Sequence, residues 1–299
     1  MTMRVSVIIT TYNQPGQLEK VMWGYAAQRG PKFELIVADD GSGPATAEVI
    51  DRVAAATELD VLHLWHEDRG FRKTIILNHA IVAAGGDYLI FSDGDCIPRD
   101  DFVATHVRLS NPQSFLSGGY IKLSSAVSDS ISISDVTSGR ATDPKTLLAK
   151  GWHPGRRALR LVRNQVVATM MDFITPTRRT WNGHNSSGAK AAILAANGFD
   201  MDMGYGGEDR ALGERLMNAG ITGRQVRHRT PCVHLFHERP YVDPIRWKVN
   251  HEIRSRIRAN GETRARIGIA ELSKNDDVLV RRPGQPLKPR AEQRAVMAR

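Results

Sequence analysis

Four short apolar runs, each separated from the next by a helix-patterned stretch, constrain the first third of this chain more than anything else in it. Arg4 to Ile9, Phe33 to Ala38, Val61 to Trp65 and Tyr88 to Phe91 each read as a buried strand. Behind Pro15, residues Leu18, Val21, Met22 and Tyr25 recur at helical spacing. Behind Pro44, Val49, Ile50 and Val53 do the same, and Thr74 to Ala84 forms a third helical stretch closed by Gly85-Gly86. Proline suits a first helical turn and glycine a helix end. Strand and helix alternating in this way predict a parallel sheet with covering helices. In such a sheet ligands bind outside the carboxyl ends of the strands. Thr10, Asp40, His66 to Lys73 and Asp93 all follow strands, so they are expected along one rim.

The rim carries chemistry at Asp93-Gly94-Asp95-Cys96. Two carboxylates spaced i, i+2 across a glycine can converge on one hard cation. Oxygen ligands suit Mg²⁺ or Mn²⁺, and such an ion can also hold a diphosphate. The plainer alternative is a solvated turn, since Asp and Gly dominate turns. No G-x-G-x-x-G fingerprint follows the first strand and no P-loop pattern exists. Those absences argue against dehydrogenases and P-loop ATPases.

The remainder is read in order. Phe102 to Leu123 holds a helix, a loop at Asn111-Pro112 and a strand through Gly118-Gly119-Tyr120. Residues 124–150 are rich in Ser, Thr and Asp without periodicity, and read as an inserted loop region. Ala158 to Ile174 has a helical pattern, with Leu159, Val162, Val166, Met170 and Phe173 on one side and Arg156, Arg157, Arg160 and Arg163 at its start. It is either a core-packing helix with a solvated basic face or a surface helix touching anionic lipid. Gly204-Tyr205-Gly206-Gly207-Glu208-Asp209 opens a helix. Its acids suit a helix start, and its glycines suit a sharp turn or a close ligand. His234 and His237 end a strand-like stretch and could ligate a metal.

The expected organisation is a single large α/β domain with a mostly parallel, Rossmann-like sheet flanked by helices. Residues 1–110 form its first half and 111–245 its second. A C-terminal helical extension at 246–280 and a basic, disordered tail at 281–299 follow. The net charge of +9 favours anionic partners. Two cysteines, Cys96 and Cys232, make neither a disulfide framework nor a zinc pattern. With no signal-peptide pattern and no apolar run near the roughly 18 residues of a spanning helix, a cytoplasmic location is expected, on the inner face of the plasma membrane where the basic segments touch lipid.

Four segments, VSVIITTYN at 5–13, ELIVADDGS at 34–42, GFRKTIILNHAI at 70–81 and DYLIFSDGDCIPRDDFV at 87–103, together resemble family 2 glycosyltransferases of the nucleotide-diphospho-sugar transferase fold. NGFDMDMGYGGEDRALGERL at 197–216 resembles a galactosyltransferase-type C-terminal region. The resemblance implies a nucleoside site at Thr10, Tyr12 and Asp40, shaped by Asp39, with Arg72 or Lys73 near the diphosphate. It implies Asp93 and Asp95 as the metal motif, with Asp95 favoured as the direct ligand and His234 or His237 completing the shell around Mn²⁺ or Mg²⁺, while Asp93 and Gly94 also meet the nucleotide sugar. Asp209 matches a catalytic base and Glu208 its acceptor-binding neighbour, with Trp181, Asn185, Tyr205 and Gly207 lining the sugar and acceptor cleft. Two positions depart from the pattern: Tyr205 replaces the usual Trp, and Arg210 follows Asp209 where an acid is usual.

The implied reaction is inverting transfer from a UDP-sugar to a hydroxyl of a saccharide or lipid-linked saccharide, in surface polysaccharide or lipopolysaccharide synthesis. A nucleotidyltransferase acting on sugar phosphates is the rival enzyme, though it would need no base like Asp209. A basic nucleic-acid binder is the rival of another class, but no stacking motif or binding module supports a nucleic-acid partner.

Overall fold

The computed structural model describes residues 3–238, 243–273 and 277–286. Strands β1 (Val5–Thr11), β2 (Glu34–Asp39), β3 (Asp60–Trp65) and β4 (Tyr88–Asp93) alternate with helices α1 (Pro15–Ala26), α2 (Pro44–Ala55) and α3 (Lys73–Ala83). The four strands are parallel, in the order β3-β2-β1-β4. Every residue of β1 is buried, as expected for a central parallel strand covered on both faces. Its side chains alternate between two cores. Val7 and Ile9 join Leu35, Val37, Leu18 and Met22 on one face, while Ile8 joins Ile36, Ile76 and Phe91 on the other.

The second half continues the same sheet. After β5 (Cys96–Pro98) and α4 (Phe102–Leu109) come β6 (Ser114–Ser117) and β7 (Gly119–Lys122), then α5 (Ser125–Ser130), α6 (Ile133–Thr137) and α7 (Pro144–Ala149). Helix α8 (Gln165–Ile174), β8 (Asn185–Ala189), α9 (Lys190–Ala195) and α10 (Glu208–Asn218) follow, then β9 (Thr222–Gln225), β10 (Pro231–His234), α11 (Pro244–Asn260) and β11 (Leu279–Arg281). The large sheet runs β11-β3-β2-β1-β4-β8-β6-β9, and a small one runs β5-β10-β7. Strand β8 is antiparallel to both neighbours, and β11 to β3. The expected single α/β domain is therefore observed, with antiparallel strands interrupting its parallel core.

Three expectations need correction. Residues 124–150 are not a loop: α5, α6 and α7 bury Val127, Val136 and Leu147 in the first core. Their starts are capped by Ser124, Ser132 and Asp143, so single-turn capping was the legible signal where periodicity was too short to show. The stretch 158–174 is not one helix. A 3-10 turn over Arg156–Leu161 breaks before α8, whose Val166 is 79% and Phe173 90% exposed. Of the two readings of that side, core-packing is the one overturned: Leu159, Val166, Met170 and Phe173 face outward. The tail does not begin at 281: Arg281 is buried, donating from Nε to His63 Nδ1 at 3.0 Å and from Nη1 to Asp51 at 2.7 Å. Residues 287–299, the rest of that expected tail, lie outside the described residues. In the basic stretch at 156–163, Arg163 is paired to Asp100.

Candidate active site

The carboxyl ends of β1, β2 and β4 meet as expected. Thr10, Tyr12, Asp40, Lys73, Asp93, Gly94, Asp95, Tyr205, His234 and His237 line one cavity of about 250 Å³.

At one end, Asp40 is buried and holds His66 Nε2 at 2.8 Å and the Arg72 backbone N–H at 3.2 Å. Burial raises its carboxyl, opposed by His66. Asp40 remains an acceptor aimed into the cavity. Asp39 faces the other way. It binds the Ser42 backbone N–H and His63 Nε2, and so holds the turn from behind rather than lining the cavity. Arg72 contributes its backbone to Asp40, and its side chain is not part of the lining. Tyr12 is half-exposed and donates to Asp68 Oδ2 at 2.9 Å.

At the centre, Lys73 Nζ donates to Asp93 Oδ1 at 2.9 Å, and Thr10 Oγ1 donates to the same oxygen at 2.8 Å. Burial works against charge on Lys73, but Asp93, Glu208 and Asp209 outweigh it and hold the ammonium up. Burial likewise opposes charge on Asp93, and Lys73, with a smaller part from His184, overcomes it and drives that carboxyl well down. Both groups are charged at neutral pH, as a half-buried pair with good geometry allows.

The metal-ligating candidates separate from that pair. Asp95, His234 and His237 bring a carboxylate oxygen and two ring nitrogens within 4.8 Å of one another. His234 Nδ1 lies 2.7 Å from the Leu235 carbonyl and His237 Nδ1 lies 2.9 Å from the Glu238 carbonyl. Carbonyls only accept, so each ring carries its proton on Nδ1 and turns an Nε2 lone pair toward Asp95. Lone pairs facing a carboxylate repel it unless a proton or cation lies between. The residues therefore fit a divalent ion, and one carboxylate with two imidazoles suits Mn²⁺ better than Mg²⁺. Both histidines qualify. Asp93, engaged by Lys73 and Thr10, approaches this group through a second cluster with Asp95 and Cys96. Burial raises the Cys96 thiol well above its ordinary value, so it is a poor ligand.

At the other end, Gly206 and Gly207 take φ of 110° and 92° before α10 begins. A Cβ at Gly206 would collide with the Trp247 indole on α11. From that helix, Asn250 Nδ2 donates to the carbonyls of Gly204, Tyr205 and Gly206. This clamp presents Glu208 and Asp209 in the first turn of α10. Asp209 Oδ2 accepts the Gly183 backbone N–H at 3.0 Å. Glu208 is buried, and desolvation, then Asp209, raise it to about 7 against the pull of Lys73. Tyr205 lines the cavity and meets the Phe71 ring edge-on at 5.9 Å. Trp181 and Asn185, expected in the cleft, are fully buried instead. Trp181 packs between Phe91 and Phe115, and Asn185 bridges His106, Gly119 and Thr230.

His66 meets Asp40 on the expected rim, whereas Asn250 and His184 carried no readable sequence signal and act through partners far away in the chain. His184 stands over Tyr120 at 4.6 Å, and burial depresses it to about 4, so it is neutral.

The sequence model described as "Glycosyl transferase family 2" matches residues 6–112, the stretch that builds Asp40, Lys73 and the Asp93–Asp95 turn. Residues 6–112 are thus similar to a family 2 glycosyl transferase domain. Among curated relatives it is 33% identical to glycosyltransferase AglE of Haloferax volcanii, over 33% of each protein. It is 24% identical to the hyaluronan synthase of Pasteurella multocida, over 76% of this chain and 24% of that one. The chain thus spans a third or less of the length of these relatives. Two solved structures share the fold. A mannosyltransferase from Pyrobaculum calidifontis in complex with GDP-Man and Mn²⁺ superposes with TM-score 0.53 at 20% identity, over 84% of this chain and 61% of that one. S. aureus TarS in complex with UDP-GlcNAc gives 0.56 at 15%, over 90% and 69%. The family match ends before α10, so the residues around Asp209 lie beyond it.

Proposed function

We propose that this chain is a metal-dependent, inverting family 2 glycosyltransferase that moves a sugar from a UDP-sugar to a hydroxyl of a saccharide acceptor. The observation that carries the reading is the convergence of Asp93 and Asp209 on Lys73 from distant parts of the chain. In this arrangement a nucleotide end and a cation site share one cleft, and Asp209, at the start of α10, acts on Lys73 from outside its lining. Asp40 accepts from the base of the nucleotide, and Lys73 faces the diphosphate. Asp95, His234 and His237 would hold a divalent ion, which when bound would supply positive charge for the leaving diphosphate. The acceptor oxygen forms its bond to the anomeric carbon as the bond to the diphosphate oxygen breaks, and the acceptor proton passes to Asp209. Neighbouring structures with nucleotide sugars in their complexes support a nucleotide-sugar donor. UDP rests on the sequence resemblance, and synthesis of a surface polysaccharide or lipopolysaccharide on that resemblance and the named relatives.

The test is Asp209→Asn. Asn keeps the shape and accepts the Gly183 N–H but cannot take a proton at neutral pH. Transfer should fall by ~10²-fold or more, while UDP affinity measured by calorimetry stays near wild type. Transfer at the wild-type rate would remove Asp209 as the base, with Glu208 next in line. A screen of UDP-sugars for hydrolysis with Mn²⁺ identifies the donor.

Peripheral contact with lipid is also proposed, on a different footing from the basic residues that first suggested it. Among the described residues no helix is long and apolar enough to cross a membrane. Helix α8 instead exposes Val166, Met170, Phe173 and Ile174. If Phe173→Ser pellets with acidic vesicles as the wild type does, that face is not the contact.

A further inference from the structure

Beside the cleft lies a second, larger basin of about 860 Å³ that the donor and the metal do not use. Arg157, Arg160, Arg178, Arg179, Arg210 and Arg227 all line it. Among the described residues none of these six is ion-paired with a carboxylate: Arg160 donates to the Tyr120 carbonyl at 2.9 Å, Arg227 to Gln225 Oε1 at 2.9 Å, and Arg157 lies 5.4 Å over the Tyr120 ring. The one acid in the lining, Glu214, is already bound by Arg254 and Arg258. Burial, then Arg227 and Arg157, depress Arg160 to about 10, and burial followed by Arg157 depresses Arg227. Clustered like charges in a concave, partly desolvated site are costly unless an anion joins them. Guanidinium groups match phosphate in forked hydrogen bonds.

The basin also touches the reacting centre. Asn182 and His184, which line it, flank Gly183, the residue whose N–H holds Asp209, and Arg210 directly follows Asp209. A molecule offering its hydroxyl to Asp209 therefore extends among these arginines.

We propose that the basin binds phosphate of the acceptor, so that the sugar is added to a saccharide or polyol bearing a phosphate ester. This rests on reading Asp209 as the base of a glycosyl transfer. The same chemistry is offered by a soluble phosphate ester and by a phosphate at a lipid surface, and the arms of the test separate them.

The test uses the full chain in chelator, without donor, so that phosphate binding is read apart from transfer. Glycerol 3-phosphate is titrated by calorimetry, and vesicles of phosphatidylcholine with and without phosphatidic acid are tested by co-sedimentation. Arg160→Gln combined with Arg227→Gln should weaken glycerol 3-phosphate by about tenfold or more, while UDP affinity with Mn²⁺, read separately, confirms an intact fold. Binding restricted to phosphatidic acid vesicles and lost in the same variant supports the proposal with a lipid-borne phosphate. Tighter binding of a single-stranded oligonucleotide than of either probe overturns it in favour of nucleic acid. Phosphate binding that is absent, or unchanged in the double variant, also overturns it. If phosphate binds as expected and no UDP-sugar is turned over, the transferase reading fails while the phosphate site stands.

Discussion

Lys73 Nζ sits 2.9 Å from Asp93 Oδ1 at the carboxyl end of β4, and feels Glu208 and Asp209 at the start of α10 as well. One ammonium thus neutralises part of three carboxylates that would otherwise repel across the cleft. Lys73→Met should cost about 2 kcal/mol of stability by leaving Asp93 without its charged partner. Denaturant unfolding measures this, and calorimetry should show weaker UDP binding. Adding Asp93→Asn should restore stability without restoring UDP affinity. If the double variant is no more stable than the single, the pair is not coupled as described.

The metal site predicts its own selectivity. With two imidazole ligands beside Asp95, Mn²⁺ should support activity better than Mg²⁺, and Ca²⁺ poorly. Asp95→Ala should abolish metal-dependent UDP binding. His234→Ala and His237→Ala should each weaken Mn²⁺ by about tenfold or more. Full activity in chelator would exclude a metal role.

Glu208 makes stability depend on pH in a defined direction. Its folded value of about 7 stands above its ordinary 4.5. Between those values the folded protein holds a proton that the unfolded chain releases, so stability is greatest below the lower value and declines as pH rises through 7. Glu208→Gln cannot lose a proton there. Its melting temperature should gain on wild type by a few degrees between pH 5 and pH 8. Parallel pH profiles for the two proteins would mean that Glu208 titrates normally.

Asn250 tests whether α11 positions the catalytic loop. Asn250→Ala leaves the carbonyls of Gly204, Tyr205 and Gly206 without their shared donor. Misplacing Asp209 slightly should lower kcat by about tenfold or more while UDP affinity changes little. A change confined to thermal stability, with kcat intact, would reduce the clamp to a structural role.

The sequence by itself determined the parallel core and much of the rim. Strand β1 is apolar throughout because both its faces are covered, and that run survives as a local signal. Thr10, Asp40, Lys73, Asp93 and Asp95 were legible because each follows such a strand or opens the next helix, and topology places those positions together. Only the tertiary structure decided the rest. Trp181 and Asn185 sit in a stretch that reads as polar loop, yet β8 inserts between β4 and β6 and buries them, because strand pairing is non-local. The two imidazoles reach Asp95 only when β10 lies against β5. The sequence left α8 open between a core-packing and a surface helix, since an apolar helical face carries no record of whether anything packs on it. The arginine basin was hidden most completely. Net charge counts arginines, whereas pairing partners and burial, which differ for Arg160, Arg163 and Arg281, are fixed by contacts between residues far apart in the chain.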